Sequence, residues 1–344
     1  MRDFQAEKAV VRGLLDDLRG ASPEGVAGVL ARHTHADWLW RGMHPFHERR
    51  GAEAVAGAFW APFLRAMGPV QRRPDIFMAG LNEMDGFQSV WVVTMGHLMG
   101  LFDRPWLGIR PTGRIVLLRF VEFHKVEEGR IRETAQFVDI VHLMQQAGQD
   151  PLPPQTGAHL IQPGPMTHEG LMWGPQDPAL GVGTLAAINR MLADMGSRRE
   201  DESVKERRYD EHLRRTWHED MIWWGPGGIG AAYTVPRYIR QHAGPFGDSL
   251  TDYRFNGHLC RMAEGHFGGF FGWANLTLRN AGGYLGMTAG PGVADMRVVD
   301  LYREEGGKLA ENWIFIDILH YLRMQGLDVL GRMARLDPWS QGEP

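Results

Sequence analysis

The sequence predicts an α+β protein made of two tandem cone-shaped domains, each a curved, mostly antiparallel sheet wrapped around helices. Three observations carry this reading. The chain has 344 residues, 44% of them hydrophobic, enough to bury two ordinary cores. It writes one segment twice, as FVDIVHLMQQAG from Phe137 and as FIDILHYLRMQG from Phe315. In both halves helical patterns come first and a run of strands follows, which is the α+β order rather than alternating βαβ.

The repeat extends well beyond the closing segments. At a constant offset of 178 residues, as between Asp139 and Asp317, the stretch from Leu107 lies over the stretch from Leu285 without a gap. Arg119 meets Arg297, Glu122 meets Asp300, Glu133 meets Glu311, and His142 meets His320. Further upstream ADWLWRG at Ala36 resembles EDMIWWG at Glu219. Each copy is about 130 residues long, a domain rather than a solenoid unit.

Each copy starts with helix and continues with a short aromatic strand (DWLW, DMIWW), a glycine loop and a helix (AEAVAGAFWAPFLRAM, TVPRYIRQHAG). Three or four strands and a closing helix complete it. A Pro- and Gly-rich stretch marks a connector. The boundaries are therefore 1–150 for the first copy, 151–180 for the connector, 181–336 for the second copy and 337–344 for a tail. Wrapping such a sheet around its helices leaves a cone-shaped cavity in each copy.

Composition removes several classes. The formal charge is −4, and its cations are scattered, so no nucleic-acid partner is expected. No apolar run reaches a membrane span, and the start lacks a secretory pattern; no membrane partner and a cytoplasmic location are expected. Cys260, the single cysteine, cannot form an internal disulfide and reads as a small buried hydrophobe. GPGGIG, from Gly225, lacks the βαβ setting of a dinucleotide fingerprint and reads as a turn. His33, His35, His44 and His47 have no third ligand at recognisable spacing. No cofactor and no metal are expected. The charged run SRREDESVKERR, from Ser197, reads as a solvated helix face or turn.

The closing patterns EEGRIRETAQFVDIVHLMQQAG and EGGKLAENWIFIDILHYLRMQG, with the early aromatic strand and its glycine turn, resemble the SnoaL-like polyketide-cyclase branch of the nuclear transport factor two-like superfamily. The resemblance covers both copies and not the connector. It implies a cofactor-independent acid/base enzyme acting on a hydrophobic small molecule. It also implies that the tandem chain is a fused, intrachain pseudo-dimer, with a homodimer as a further form. The acid/base role of the closing Asp would fall on Asp317 and Asp139.

Read physically, Glu311, Trp313, Phe315 and Asp317 share one face of the last strand. If that face lines the cavity, its acid is partly desolvated and suited to general acid/base work. His320 and His142 would share a proton with it or simply be partly buried histidines, and Arg297 would supply a cation to an enolate oxygen or pair with Asp295, Asp300 or Glu311 to stabilise the sheet. Trp313, Phe315, Trp223, Trp224 and Tyr284, with Trp40 in the first copy, would form the substrate wall. The first copy has Ala135 in place of Trp313, which favours the second as the working one. The opposing reading is equally open: each Asp immediately precedes a helix that ends before a Gly, and simply caps it. Aldol cyclisation, isomerisation and dehydration all remain possible outcomes, beside a hydrolase and a non-catalytic binding module.

Overall fold

The computed structural model describes residues 3–198 and 205–336. The tail predicted over 337–344 lies outside the described residues, as does the middle of the charged run from Ser197. Helices Gln5–Arg19 and Val26–His33 open the first copy. Val11, Leu14, Leu15 and Leu18 recur at helical spacing and are buried, so this helix exists as the apolar lining of a sheet. The sheet comprises β1 (Thr34–Gly42), β2 (His47–Arg50), β3 (Gln71–Leu81), β4 (Val90–Leu101), β5 (Ile115–Glu127) and β6 (Arg130–Val138), in the order β2-β1-β6-β5-β4-β3. Every neighbouring pair is antiparallel except β1 with β6. Glu128 and Gly129, both with positive φ, make the two-residue hairpin turn whose twist matches its strands.

The second copy repeats the plan with β7 (Trp217–Trp224), β8 (Ala232–Tyr233), β9 (Leu250–Phe255), β10 (Cys260–Glu264), β11 (Phe267–Phe271), β12 (Leu276–Asn280), β13 (Val293–Met296), β14 (Val298–Glu305) and β15 (Lys308–Ile316). Its main sheet runs β10-β11-β14-β15-β7-β8, again with one parallel pair, β15 with β7. Where the first copy has three unbroken strands, β3, β4 and β5, the second has three broken ones. The outer pieces form a separate sheet, β13-β12-β9. In both copies a helix with a π turn crosses the cone: Ala52–Met67, with the π turn at Ala56–Trp60, and Val235–Ser249, with the π turn at Ile239–Ala243.

The two sheets pack outer face to outer face. Phe123 meets Phe271 with ring centroids 5.0 Å apart, Phe137 meets Trp273 at 5.8 Å, and the Arg119 guanidinium lies 4.1 Å from the Phe315 ring. At one edge of the interface Lys8 Nζ donates to Glu264 Oε1 at 2.6 Å, and Glu264 Oε2 accepts the Ala79 N–H at 2.6 Å. Both side chains are buried, so removing either partner would strand a charge. The connector runs across both copies, bridging to β3 through Leu171 and Phe77 and to the second copy through Ala158 and Ala231. Regular helix resumes at Pro178. No helix among the described residues is long and apolar enough to cross a membrane.

Candidate functional site

The closing motif does not face a cone. In β1, Trp40 packs on Phe59 of the crossing helix at 5.9 Å, and its indole N–H donates to Gln136 Oε1 at 3.1 Å. Trp38 donates to Thr134 Oγ1 at 3.0 Å. The even positions of β6 therefore look into the cone, and Ala135 and Phe137 look outward. The second copy follows: Asn312, in register with Trp223, faces inward, while Glu311, Trp313 and Phe315 face out. The expectation that Trp313, Phe315 and Asp317 line the cavity is corrected on this point. A second copy covers the outer face, so both faces of the strand are buried and apolarity alone does not distinguish them.

Asp139 and Asp317 sit at the seam between the copies, where each does two things. Asp139 accepts the His142 N–H at 3.0 Å, capping its helix, and the Gly227 N–H of the other copy at 2.9 Å. Asp317 accepts the His320 N–H at 3.3 Å and, from the other copy, the His44 N–H at 2.9 Å. His44 and Gly227 follow the glycine loops of β1 and β7, so the exchange is reciprocal. A side chain at Gly227 would place its Cβ 2.4 Å from the His142 nitrogen, and the close approach demands glycine. Burial pushes Asp317 up to about 6, against the His44 N–H and Arg297, which hold it down. Arg297 pairs with Asp317 at 3.4 Å and stacks on Trp273 at 4.0 Å, rather than reaching Asp295, Asp300 or Glu311.

The remaining predicted residues divide cleanly. Trp40, Trp223 and Tyr284 lie in the cones; Trp224 lies on the outer face, its carbonyl accepting from Arg119 Nη2 at 3.1 Å. His142 stands edge-on to His159 and His320 edge-on to His47. Burial lowers both imidazoles, to about 4 and about 3. Trp313 has a cause outside chemistry: its indole N–H donates to the connector carbonyl of Pro163 at 3.1 Å. The chain has one connector, and the copy it crosses here carries the tryptophan where the other has Ala135. His44 Nδ1 lies 3.3 Å from His47 Nε2. Among the described residues no group of three or more His, Cys, Asp or Glu is disposed to hold a metal ion.

Two inward acids, which the closing motif drew attention away from, occupy matching positions. In the first cone Glu122 receives two hydrogen bonds from Arg72, at 2.7 and 3.3 Å, and has His124 Nε2 at 3.5 Å. His124 in turn meets Thr134 at 3.0 Å. Burial would raise this acid, but Arg72 and His124 outweigh it and bring Glu122 down to about 2. It stays ionised at any physiological pH. Around it Phe46, Phe59, Phe63 and Trp106 are buried and in mutual ring contact, so the cone is filled.

In the second cone Asp300 takes the Glu122 position with no cation paired to it among the described residues. Asn312 Nδ2 donates to it at 3.1 Å and Tyr302 hydrogen-bonds to it. Burial pushes the carboxyl up to about 7, against those two hydrogen bonds. Trp223, beside Asn312, stacks on His242 at 4.0 Å; Phe270, in register with Asp300, stacks on His258 at 3.9 Å. The crossing helix here is half-buried or exposed from Pro236 to Ser249, whereas its counterpart fully buries Val55, Ala56, Phe59, Trp60 and Phe63. The Glu122/Asp300 match in the repeat was the signal in the sequence for this site; that nothing among the described residues takes the place of Arg72 beside Asp300 is seen in the fold.

Residues 28–147 match the family model for SnoaL-like polyketide cyclase. Comparison with curated proteins gives no match. Among solved structures, a protein of Jannaschia sp. CCS1 assigned as a SnoaL-like polyketide cyclase is 20% identical, covering 44% of this chain and 95% of its own, with a TM-score of 0.34. An NTF2-like protein of Burkholderia xenovorans is 14% identical over 42% of this chain and 96% of its own, with a TM-score of 0.33. TsrD of Streptomyces laurentii is 20% identical over 41% and 96%, with a TM-score of 0.33.

Proposed function

We propose that the chain is a cofactor-independent enzyme that moves protons at carbon beside a carbonyl, in the second cone, with Asp300 as general acid and base. The observation that carries this reading is the unpaired, buried carboxyl of Asp300, raised to about 7. A general base works best when its pKa lies near the operating pH. The family match of the first copy supports the reaction class.

In the reaction, the ionised Asp300 takes the proton from the carbon next to the carbonyl. The electron pair of that C–H bond moves into an enolate, and the protonated acid later returns the proton to carbon. Aldol cyclisation, isomerisation and dehydration share this first step. Asn312 and Tyr302 fix the carboxyl, while Trp223, Phe270, Phe246 and Tyr284 offer an apolar wall that keeps it desolvated. Loosely seated, the helix Val235–Ser249 is the part of the cone that admits a hydrophobic molecule. Asp317, His320 and Arg297, with Asp139 and His142, lock the two copies together in this reading.

The test uses 2-tetralone, an apolar ketone with acidic α-hydrogens, in deuterated buffer. Exchange of its α-hydrogens, followed by proton NMR, is expected to exceed the buffer rate and to fall about 10²- to 10⁴-fold in Asp300→Asn. Exchange equal to buffer, or unchanged in that variant, would overturn the assignment and leave a binding module.

A further inference from the structure

The breaks in the second sheet coincide. Strand pairs β9/β10, β11/β12 and β13/β14 are interrupted at Asn256–Leu259, Gly272–Asn275 and Arg297, so a seam crosses the wall of the second cone. The first cone has no counterpart, because β3, β4 and β5 run through. Asn275 holds the seam: its Oδ1 accepts the Val298 N–H at 2.7 Å, and its backbone bonds to both Asn256 and Met296.

A groove of about 300 Å³ lies along this seam, lined by Arg254, Asn256, His258, Trp273, Thr277 and Asp295. Its polar groups form a connected row. Arg254 Nε donates to Asn256 Oδ1 at 3.1 Å, Asn256 Nδ2 to Thr277 Oγ1 at 2.7 Å, and Thr277 Oγ1 to Asp295 Oδ1 at 3.5 Å. Trp273 forms an aromatic side of the groove, held by Arg297 and by Phe137. At its end stands His258, whose Nδ1 is shielded from solvent and without a hydrogen-bond partner among the described residues, while its ring stacks on Phe270 of the cone. One residue thus touches both the groove and the wall of the cone that carries Asp300.

The lining selects against most ligand chemistry. An anion meets Asp295 and a cation meets Arg254; an apolar group would cut the remaining donors and acceptors of that row off from water, at a cost. A neutral group with many hydroxyls satisfies alternating donors and acceptors and presents C–H surface to a tryptophan ring. We propose that the groove is a subsite for an uncharged polyhydroxylated group, a sugar or a polyol, carried by the molecule whose carbonyl end enters the second cone. The location of that carbonyl end rests on the acid/base reading above; the subsite itself does not.

Saturation-transfer NMR on the intact chain tests it, with methyl β-glucopyranoside, methyl α-mannopyranoside and methyl β-galactopyranoside as sugar probes and myo-inositol as the polyol, all at millimolar concentration. At least one probe is expected to receive saturation. Asn256→Ala, at the surface, and Thr277→Val, half-buried, are expected to weaken that signal about fivefold. Asp300→Asn is expected to leave it intact while abolishing ketone exchange, which separates this inference from the reaction. Transfer to none of the probes, or transfer unaltered by both groove variants, would overturn it.

Discussion

Two cones built on one plan treat their central acid in opposite ways. In the first, Glu122 is clamped by Arg72 and surrounded by packed aromatic rings. In the second, Asp300 keeps neutral partners among the described residues, under a helix that is at most half-buried between Pro236 and Ser249. A duplicated fold copies its caps, turns and strand register, but one unmatched arginine changes the acid from a fixed charge to a titrating group. In stability terms the first cone is a closed core, and the second is packed less tightly under its helix.

The largest effects should separate the acids themselves. Asp300→Asn is expected to remove ketone exchange without lowering the thermal midpoint at neutral pH, since Asn preserves the size and the Asn312 neighbour and leaves no carboxylate to hold buried. Glu122→Gln is expected to do the reverse. It leaves the Arg72 guanidinium buried without its counter-charge, destabilising the fold by about 3–5 kcal/mol in denaturant titrations with exchange per folded molecule retained. Equal behaviour of the two variants would erase the distinction between the cones.

Packing differs next. Phe59→Ala opens a hole in a closed aromatic cluster and is expected to cost about 3–5 kcal/mol. The counterpart Phe246→Ala, in the half-buried helix of the second cone, should cost less than about 1.5 kcal/mol and alter exchange instead. Chemical denaturation of both variants checks this.

The fold was legible because caps, turns and repeats are local. Asp139 and Asp317 read as N-caps, and both accept the expected amide. The hairpin turns Glu128-Gly129 and Gly306-Gly307 take the positive φ their twist requires. What failed was the choice of face. Trp313 and Phe315 look like cavity residues because β15 is apolar on both sides, and only the packing of one copy on the other reveals which side is inside. Asp300 escaped because its virtue is a missing partner: the lack of a cation opposite it is a tertiary fact, visible only once Arg72 is seen to cross the first cone.

The seam gives a smaller effect. Gly227→Ala is expected to destabilise the chain by about 1–3 kcal/mol, because its methyl would press on the His142 amide and push the two copies apart at Asp139. Asp139→Asn should cost less, since the amide oxygen still accepts a hydrogen bond.

A last effect is the pH slope. His44 and His142 are lowered to about 4, and His242, His258 and His320 to about 3, chiefly by burial. On unfolding each regains its ordinary value of 6.5, so the unfolded chain binds more protons and stability rises with pH up to that point. Asp300 and Asp317 act in the opposite sense: the folded chain holds their protons from about 3.8 up to about 7 and about 6, and stability falls as pH rises through that window. With these imidazoles, and His47 lowered beside them, set against Asp300, Asp317 and the raised Glu264, a net rise is expected between about pH 4 and 6.5. Asp300→Asn should steepen it, as measured by thermal midpoints across that range.

The central difference between the cones can be measured without any substrate. Carbon-13 labelling of the aspartate carboxyls, followed through a pH titration by NMR, is expected to show one resonance with a midpoint near 7 that is absent from Asp300→Asn. A second, near 6, should vanish in Asp317→Asn. If every aspartate instead titrates in the ordinary range around 3.8, the second cone holds no acid tuned for proton transfer, and the contrast with Glu122 collapses.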